Sequence, residues 1–152
     1  MSHSAGYRMW DACQDAASDG VGLVSRTGDT SVIRQEYLQA GERILDNAQG
    51  DHIPDGSGVT YRNLTVDHYH PYVSAISMLV PSPDRMVGVA DLRLCEGDKW
   101  KEMVQVCFEL FSTATASDKV APEMERNSVQ ANNCSFGYVR FTLLETEVCD
   151  SL

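Results

Sequence analysis

The chain has 152 residues, of which 43% are hydrophobic and 22% are charged, and these proportions suit one globular domain with a real core. The formal net charge of −10 repels nucleic acid and anionic lipid, so neither is an expected partner, whereas cations, basic proteins and neutral ligands stay open. No apolar run approaches the ~20 residues of a membrane span. We interpret residues 1–152 as a single domain with a flexible tail from about residue 148.

The cysteines indicate an oxidising compartment. Five are many for a cytosolic chain of this length. The chain contains no CxxC pair, which argues against a zinc site, so one or two disulfides plus a leftover thiol are expected. Sequons at Asn63 and Asn133 are compatible with secretion. The first ten residues lack the basic start and apolar run of a signal peptide, which favours a sequence that begins on a mature or expressed fragment.

The first third of the chain predicts two or three short helices. Residues 5–27 carry apolar positions at helical spacing, with an interruption at residues 18–20. Asp29 or Thr30 can cap the next helix, because a short oxygen side chain accepts from free first-turn amides, and Gly41 suits its end. Helices this short are not stable alone, so we expect them to pack on other elements.

After Gly41 the apolar period changes from about four to two, which predicts strands. Residues 72–80 are apolar on both faces and are expected to form a central strand. Residues 112–136 are polar and predict a long loop. Short strands separated by turn signals are typical of an antiparallel β-sandwich, with the helices covering one end or edge. The predicted strands span residues 42–47, 59–68, 72–80, 86–95, 103–111 and 138–148.

One stretch carries a family signature. His-Pro-Tyr-Val-Ser at 70–74, Val-Pro-Ser-Pro-Asp at 80–84, Val-Gly-Val at 87–89, Leu92, Leu-Cys at 94–95 and Gly-Asp-Lys-Trp at 97–100 resemble the spondin domain family. Residues 4–10 and 139–144 resemble its first conserved segment and its last strand. The resemblance implies a mainly-β, C2-like sandwich, secretion, and adhesion or recognition rather than catalysis.

The resemblance also implies a metal position. Family members that bind calcium use the Asp of a Ser-Pro-Asp turn and two further carboxylates. Asp84 matches the first, but the other two positions fall at Thr65 and near Ser112, which carry hydroxyls. Calcium prefers six to eight oxygens, several of them charged, so this set is poor. From the residues alone, Asp84 is first a turn residue.

Two further departures from the family concern the chain's beginning. The family's first strand and its loop precede the segment that matches Ser4 onward, so one sheet edge is predicted to be open or filled by another chain, which allows a homo-oligomer. In the family, the cysteine that corresponds to Cys95 pairs within that preceding segment. Cys95 therefore needs another partner, for which Cys13 and Cys149 are candidates, or stays free.

The remaining polar residues predict no chemistry. His68 and His70 would share one strand face and form half of a metal site, but a hydrogen-bonding role for His70 is the favoured interpretation. No nucleophile–base motif, metalloprotease motif or phosphate-binding glycine loop is present in the sequence, so an enzyme is not expected.

We therefore expect a secreted, non-enzymatic binding domain that recognises an extracellular protein or glycan. The alternative is a carrier of a small apolar ligand, a lipid or a pigment such as a carotenoid, held in a cleft or between protomers. Met78, Met86 and Met103 near the predicted central strands favour that alternative, because methionine adapts to irregular apolar surfaces.

Overall fold

The computed structural model describes residues 1–10, 17–54, 57–80, 85–97, 99–112, 134 and 136–145. This part of the chain is mainly β with two short helices, which confirms the predicted class. The two-layer sandwich itself stays a prediction. The elements are β1 Ser2–His3, α1 Asp19–Thr27, α2 Ser31–Ala40, a 3-10 turn Gly41–Arg43, β2 Ile44–Asp46, β3 Tyr72–Met78, β4 Arg85–Arg93, β5 Cys95–Glu96, β6 Lys99–Trp100, β7 Met103–Cys107, β8 Glu109–Ser112 and β9 Tyr138–Thr142.

Five strands form the main sheet, in the order β2-β1-β3-β4-β8. All the neighbouring pairs are antiparallel. β3 lies in the middle of this order, which confirms the central position expected from its two apolar faces. Two smaller ladders join β5 to β6 and β7 to β9.

The predicted strand over 103–111 is interrupted. Phe108 separates β7, which pairs with β9, from β8, which pairs with β4 at the edge of the main sheet. The Phe108 amide donates to the Gly137 carbonyl oxygen instead of continuing a ladder. The alternating pattern was correct as a strand signal, but it could not show that the two halves pair with different neighbours.

The two helices begin and end at residues of the expected types. Ser18 caps α1 by accepting from the Val21 amide at 3.2 Å, so a helix begins within the predicted interruption at residues 18–20, whereas residues 11–16 before it lie outside the described residues. The Asp29 carboxylate accepts from the Ser31 amide at 2.8 Å, and α2 ends at Gly41 as predicted.

Two other expectations from periodicity were wrong. Tyr7 and Trp10 lie outside any helix, because the chain turns after β1, where the Tyr7 amide donates to Ser4, and then places Trp10 on the sheet. Residues 59–68 form no strand. Val59 and Tyr61 there are 70% and 81% exposed, so no sheet surface covers the apolar positions that suggested a strand.

The core lies between the helices and one face of the main sheet. Trp10 packs edge-on against Phe111 with ring centroids 5.3 Å apart. Gly88 leaves room for the indole, since a Cβ there would lie 3.1 Å from Trp10 Cη2. The buried cluster consists of Met1, Met9, Trp10, Val21, Val24, Ile33, Met86 and Phe111.

A disulfide supports the β7–β9 ladder. Cys107 at the end of β7 is bonded to Cys134, which precedes β9, and the bridge spans a sequence separation of 27. Cys95 is disulfide-bonded as well. Bridges are thus present, as the cysteine count predicted, whereas Cys13 and Cys149 lie outside the described residues. Within the described part of the chain, no helix is both long enough and apolar enough to cross a membrane.

Candidate functional site

The site is built on β1, which lies between β2 and β3. Ser2 and His3 are both buried. Ser2 Oγ donates to the Thr65 carbonyl oxygen at 2.7 Å and accepts from the Asp46 amide at 3.1 Å. The strand has two residues, so these side-chain bonds supplement its short ladders and hold His3 between β2 and β3.

His3 is a neutral imidazole, and each of its two ring nitrogens has a hydrogen-bond partner. Its Nδ1 lies 2.9 Å from the Ser4 carbonyl oxygen, which can only accept, so Nδ1 carries the proton. Its Nε2 lies 2.9 Å from Ser74 Oγ, and the hydroxyl therefore donates to it. Burial lowers the pKa of His3, and this keeps the ring neutral at pH 7.

Ser74 and Asp91 form a β-bulge between β3 and β4. Val73 pairs with Leu92 and Ala75 pairs with Val89, so two residues of β4 oppose Ser74 alone. β4 has one more residue than β3 here, and Asp91 accommodates it with a φ of 53°, a left-handed conformation that Asp tolerates better than most residues. The Asp91 amide, left without a ladder partner, donates to Ser74 Oγ at 3.0 Å.

The bulge directs the Asp91 carboxylate toward His3 and Arg8. Its Oδ1 lies 3.6 Å from His3 Nε2, and its Oδ2 lies 3.6 Å from Arg8 Nε. The Asp91 side chain is 33% exposed and that of Arg8 is 63% exposed. The carboxylate therefore has one oxygen at the buried histidine and the other near the surface.

Beside Asp91 lies a recess of about 220 Å³, which we call the Trp10 recess. Its walls combine aromatic and aliphatic side chains with two carboxylates and one guanidinium. Glu109 on the edge strand β8 and Asp91 on β4 contribute the carboxylates. The lining residues are Arg8, Trp10, Val89, Ala90, Asp91, Glu109 and Phe111.

Two buried polar atoms, on residues that line the Trp10 recess, lack hydrogen-bond partners in the described part of the chain. They are the indole Nε1 of Trp10, whose residue is only 7% exposed, and Oδ1 of Asp91. A buried donor or acceptor without a partner costs on the order of 1–3 kcal/mol. Both atoms are closed off from solvent, and Oδ1 faces His3, so it is the mixed aromatic and charged wall that marks the recess as a candidate binding site.

The residues predicted for calcium do not share one location among those described. Thr65 lies beside β1 and β2, where its amide donates to the Asp46 carboxylate at 2.8 Å. Ser112 lies on β8 at the opposite edge, paired in register with Arg85. Asp84 lies outside the described residues. No set of three His, Cys, Asp or Glu able to hold a metal occurs in the described ranges, and calcium at Asp84 stays a prediction.

His70 has the hydrogen-bonding role expected of it. Its Nδ1 contacts the Asp67 carboxylate and its Nε2 the Glu42 carbonyl oxygen, both at 2.7 Å. Both partners are acceptors, so the geometry favours the doubly protonated ring. Burial lowers the pKa of His70, but the bonds to Glu42 and Asp67 outweigh it, and the net pKa is raised. His68 is exposed and contacts Tyr69.

A second depression, of about 410 Å³, lies between α2 and β2 and is more apolar. Leu38, 82% exposed, and Leu45 contribute to it. The full lining is Arg34, Tyr37, Leu38, Gly41, Ile44, Leu45 and Asn47. The methionines considered for an apolar ligand lie elsewhere: Met86 belongs to the core, Met103 is exposed, and Met78 approaches Gly28.

Sequence reasoning did not single out the polar residues of the Trp10 recess. Arg8 lies in the segment 4–10 that resembles the family but was given no role, Asp91 and Glu109 belong to no motif, and β1 was not predicted. One signal was available at Asp91, an acidic residue inside the otherwise apolar run 86–92. A carboxylate at such a position needs a charged or hydrogen-bonding partner, and the Arg8 guanidinium lies 3.6 Å from it.

The comparisons with known proteins place the chain in a family. The family model described as Spondin_N matches residues 1–133. Spondin-2 of Rattus norvegicus and Spondin-2 of Homo sapiens are each 34% identical over 124 residues, which cover 77% of this chain and 36% and 35% of the respective relative. The chain thus spans about a third of the length of these curated relatives. It belongs to the spondin N-terminal domain family, as the motifs over 70–100 predicted.

Proposed function

We propose that this chain is an extracellular, non-catalytic recognition domain that binds a protein or glycan partner. The observation that carries the proposal is the Trp10 recess, whose wall combines aromatic, aliphatic and charged side chains. Membership of the spondin N-terminal domain family and the disulfide Cys107–Cys134 support an extracellular setting.

The buried polar cluster supports binding over catalysis. Ser74 Oγ and His3 Nε2 lie 2.9 Å apart, a distance that also suits a nucleophile and its base. Ser74 is 0% exposed and His3 is 1% exposed, so a substrate cannot approach the hydroxyl. The pair instead fixes the bulge at Asp91 and thereby one wall of the Trp10 recess.

The test is binding of the immobilised chain to extracellular-matrix proteins and to glycans, measured by surface plasmon resonance. Wild type is expected to bind a partner saturably at micromolar concentration. Glu109→Lys places a cation at the rim of the recess and is expected to weaken that binding at least tenfold. Glu102→Lys makes the same change at an exposed turn and serves as the matched control. Equal binding by both variants, or none by wild type, contradicts the proposal.

A second candidate function is the transport of a small apolar ligand. The apolar depression between α2 and β2 favours it, because exposed Leu38 and half-exposed Leu45 offer a hydrophobic surface. Protein purified from its source would then absorb visible light or exceed its polypeptide mass in a native mass spectrum. A colourless protein at the bare polypeptide mass refutes this candidate.

Self-association through a sheet edge is a separable proposal. Among the described strands, β2 and β8 are the outer ones of the main sheet, and a strand from another copy can pair with an edge of this kind. Light scattering coupled to size exclusion measures the mass directly. A monomer at all micromolar concentrations refutes the proposal.

A further inference from the structure

We propose that Asn63 carries an N-linked glycan whose first sugar, an N-acetylglucosamine, packs on the ring of Tyr61. The inference rests on the extracellular setting of the proposed function, because such glycans are added to chains that enter the secretory pathway. The triplet Asn63-Leu64-Thr65 is an acceptor sequence for this modification, and its surroundings in the fold favour occupancy.

Residues 60–65 are held beside residues 46–51 by side-chain hydrogen bonds, although they form no strand. Three bonds of 2.8–2.9 Å join the two segments in antiparallel order. They run from the Asp51 amide to Thr60 Oγ1, from Arg62 Nε to the Gln49 carbonyl oxygen, and from the Thr65 amide to the Asp46 carboxylate. The acceptor triplet is therefore fixed in position against the segment that follows β2.

Side chains along residues 60–63 alternate between bonded and exposed positions. Thr60 and Arg62 bond to the neighbouring segment. Tyr61, between them, is 81% exposed, and Asn63 is exposed as well. This alternation is typical of an extended chain, in which residues i and i+2 lie on the same side about 6.5 Å apart. Tyr61 and Asn63 therefore face solvent side by side.

The Asn63 carboxamide is available for the transfer, since it bonds to no residue in the described part of the chain. The donor is an oligosaccharide carried on a lipid diphosphate, and the cell supplies the transferase. Asn63 Nδ2 forms a bond to the anomeric carbon of the first sugar and gives up one proton. The bond from that carbon to the diphosphate oxygen breaks, and the lipid diphosphate leaves with the electron pair.

Tyr61 offers the new sugar an apolar surface. Its ring is left uncovered by the described residues, although the segment that carries it is ordered by hydrogen bonds. The C–H groups on one face of a pyranose can pack on an aromatic ring, which is a large apolar surface of defined geometry. Val59, 70% exposed, is aliphatic and lies two residues farther from Asn63, so it is the matched control for this contact.

The first experiment maps the glycan on protein purified from its source. Peptide N-glycosidase in heavy-oxygen water converts each glycosylated asparagine to a labelled aspartate, which mass spectrometry assigns. Asn63 is expected to carry the label, and peptide mapping separates it from the sequon at Asn133. In the full chain secreted from eukaryotic cells, Asn63→Gln should lose one glycan by intact mass. Asn47→Gln, at an exposed asparagine outside any sequon, should retain it.

The second experiment measures the contact with Tyr61 by thermal unfolding. The glycosylated chain is expected to melt about 2–4 °C above Asn63→Gln, a gain of the size of one aromatic contact. Repeating the comparison in other backgrounds gives double-mutant cycles. Tyr61→Ser should abolish the gain, whereas Val59→Ser should keep it. If a variant is retained in the cell, proton NMR of the wild-type glycoprotein decides instead, because the Tyr61 ring should shift first-sugar protons upfield.

The outcomes separate this inference from the function on which it rests. An unmodified Asn63 in protein from its source overturns it, and so does a full glycan gain in Tyr61→Ser or first-sugar protons without an upfield shift. If Asn63 is unmodified but partners bind in the resonance assay, the recognition function stands without the glycan. If Asn63 carries the glycan with the Tyr61 contact but no partner binds, the recognition function is refuted and the modified site stands.

Discussion

The position of Trp10 depends on Gly88, and replacing this glycine with alanine is the sharpest test of the core packing. A Cβ at residue 88 would lie 2.5 Å from the Ala75 carbonyl oxygen, 3.1 Å from Trp10 Cη2 and 3.2 Å from a methyl of Ile76. The first of these is a backbone atom of the central strand β3, directly beside its pairing partner β4. It cannot move away without disturbing the β3–β4 ladder.

Overpacking of a core by one methyl group costs about 1–3 kcal/mol, and the backbone contact places Gly88→Ala toward the upper end of that range. For a chain of this length, each kcal/mol lowers Tm by about 2–4 °C, so we expect a decrease of about 5–10 °C. The displaced indole should also weaken partner binding at the Trp10 recess.

The measurement is thermal unfolding followed by far-UV circular dichroism. Gly6→Ala is the matched control, because a Cβ at residue 6 meets only the Ser4 hydroxyl at 3.9 Å. The control is expected to change stability by about 0.5 kcal/mol or less, as is usual for surface substitutions. If Gly88→Ala melts within 2–3 °C of Gly6→Ala, about the shift of a single kcal/mol, the close packing of Trp10 on β4 is wrong.

Two further predictions concern the disulfide Cys107–Cys134 and the pH dependence of stability. Replacing both Cys107 and Cys134 with alanine removes a bridge over a 27-residue separation and should lower the free energy of unfolding by on the order of 3–4 kcal/mol in urea titrations; an unchanged midpoint contradicts this. The raised pKa of His70 means that its contribution to stability is full below its unfolded pKa near 6.5 and is lost as pH rises through the folded value. The difference in free energy of unfolding between wild type and His70→Gln should therefore shrink from pH 6 to pH 9. A constant difference contradicts a charged His70. The pKa of Asp67 is lowered because the bonds from His70 outweigh burial, so the same difference should also shrink as pH falls through the folded pKa of Asp67.

Much of the fold was predictable because its signals are local. α2 ends at Gly41 because glycine accepts the positive φ that follows the helix, and the chain itself carries this information. β3 was recognised as central because both of its faces are apolar, a property of seven consecutive residues. The family motif over 70–100 and the presence of a disulfide were likewise available from residue types and spacing.

The candidate site was not predictable, because contacts between distant parts of the chain create it. Arg8 and Trp10 follow β1, Asp91 lies on β4, and Glu109 lies on β8, so no local pattern brings them together. The bulge opposite Ser74 decides where the Asp91 carboxylate points, and a bulge depends on the register of two strands. The amino-acid sequence alone thus determined the class of fold, the helix end at Gly41 and the family. Only the tertiary structure decided that an indole, a guanidinium and two carboxylates share one recess, because strand register and packing set those distances.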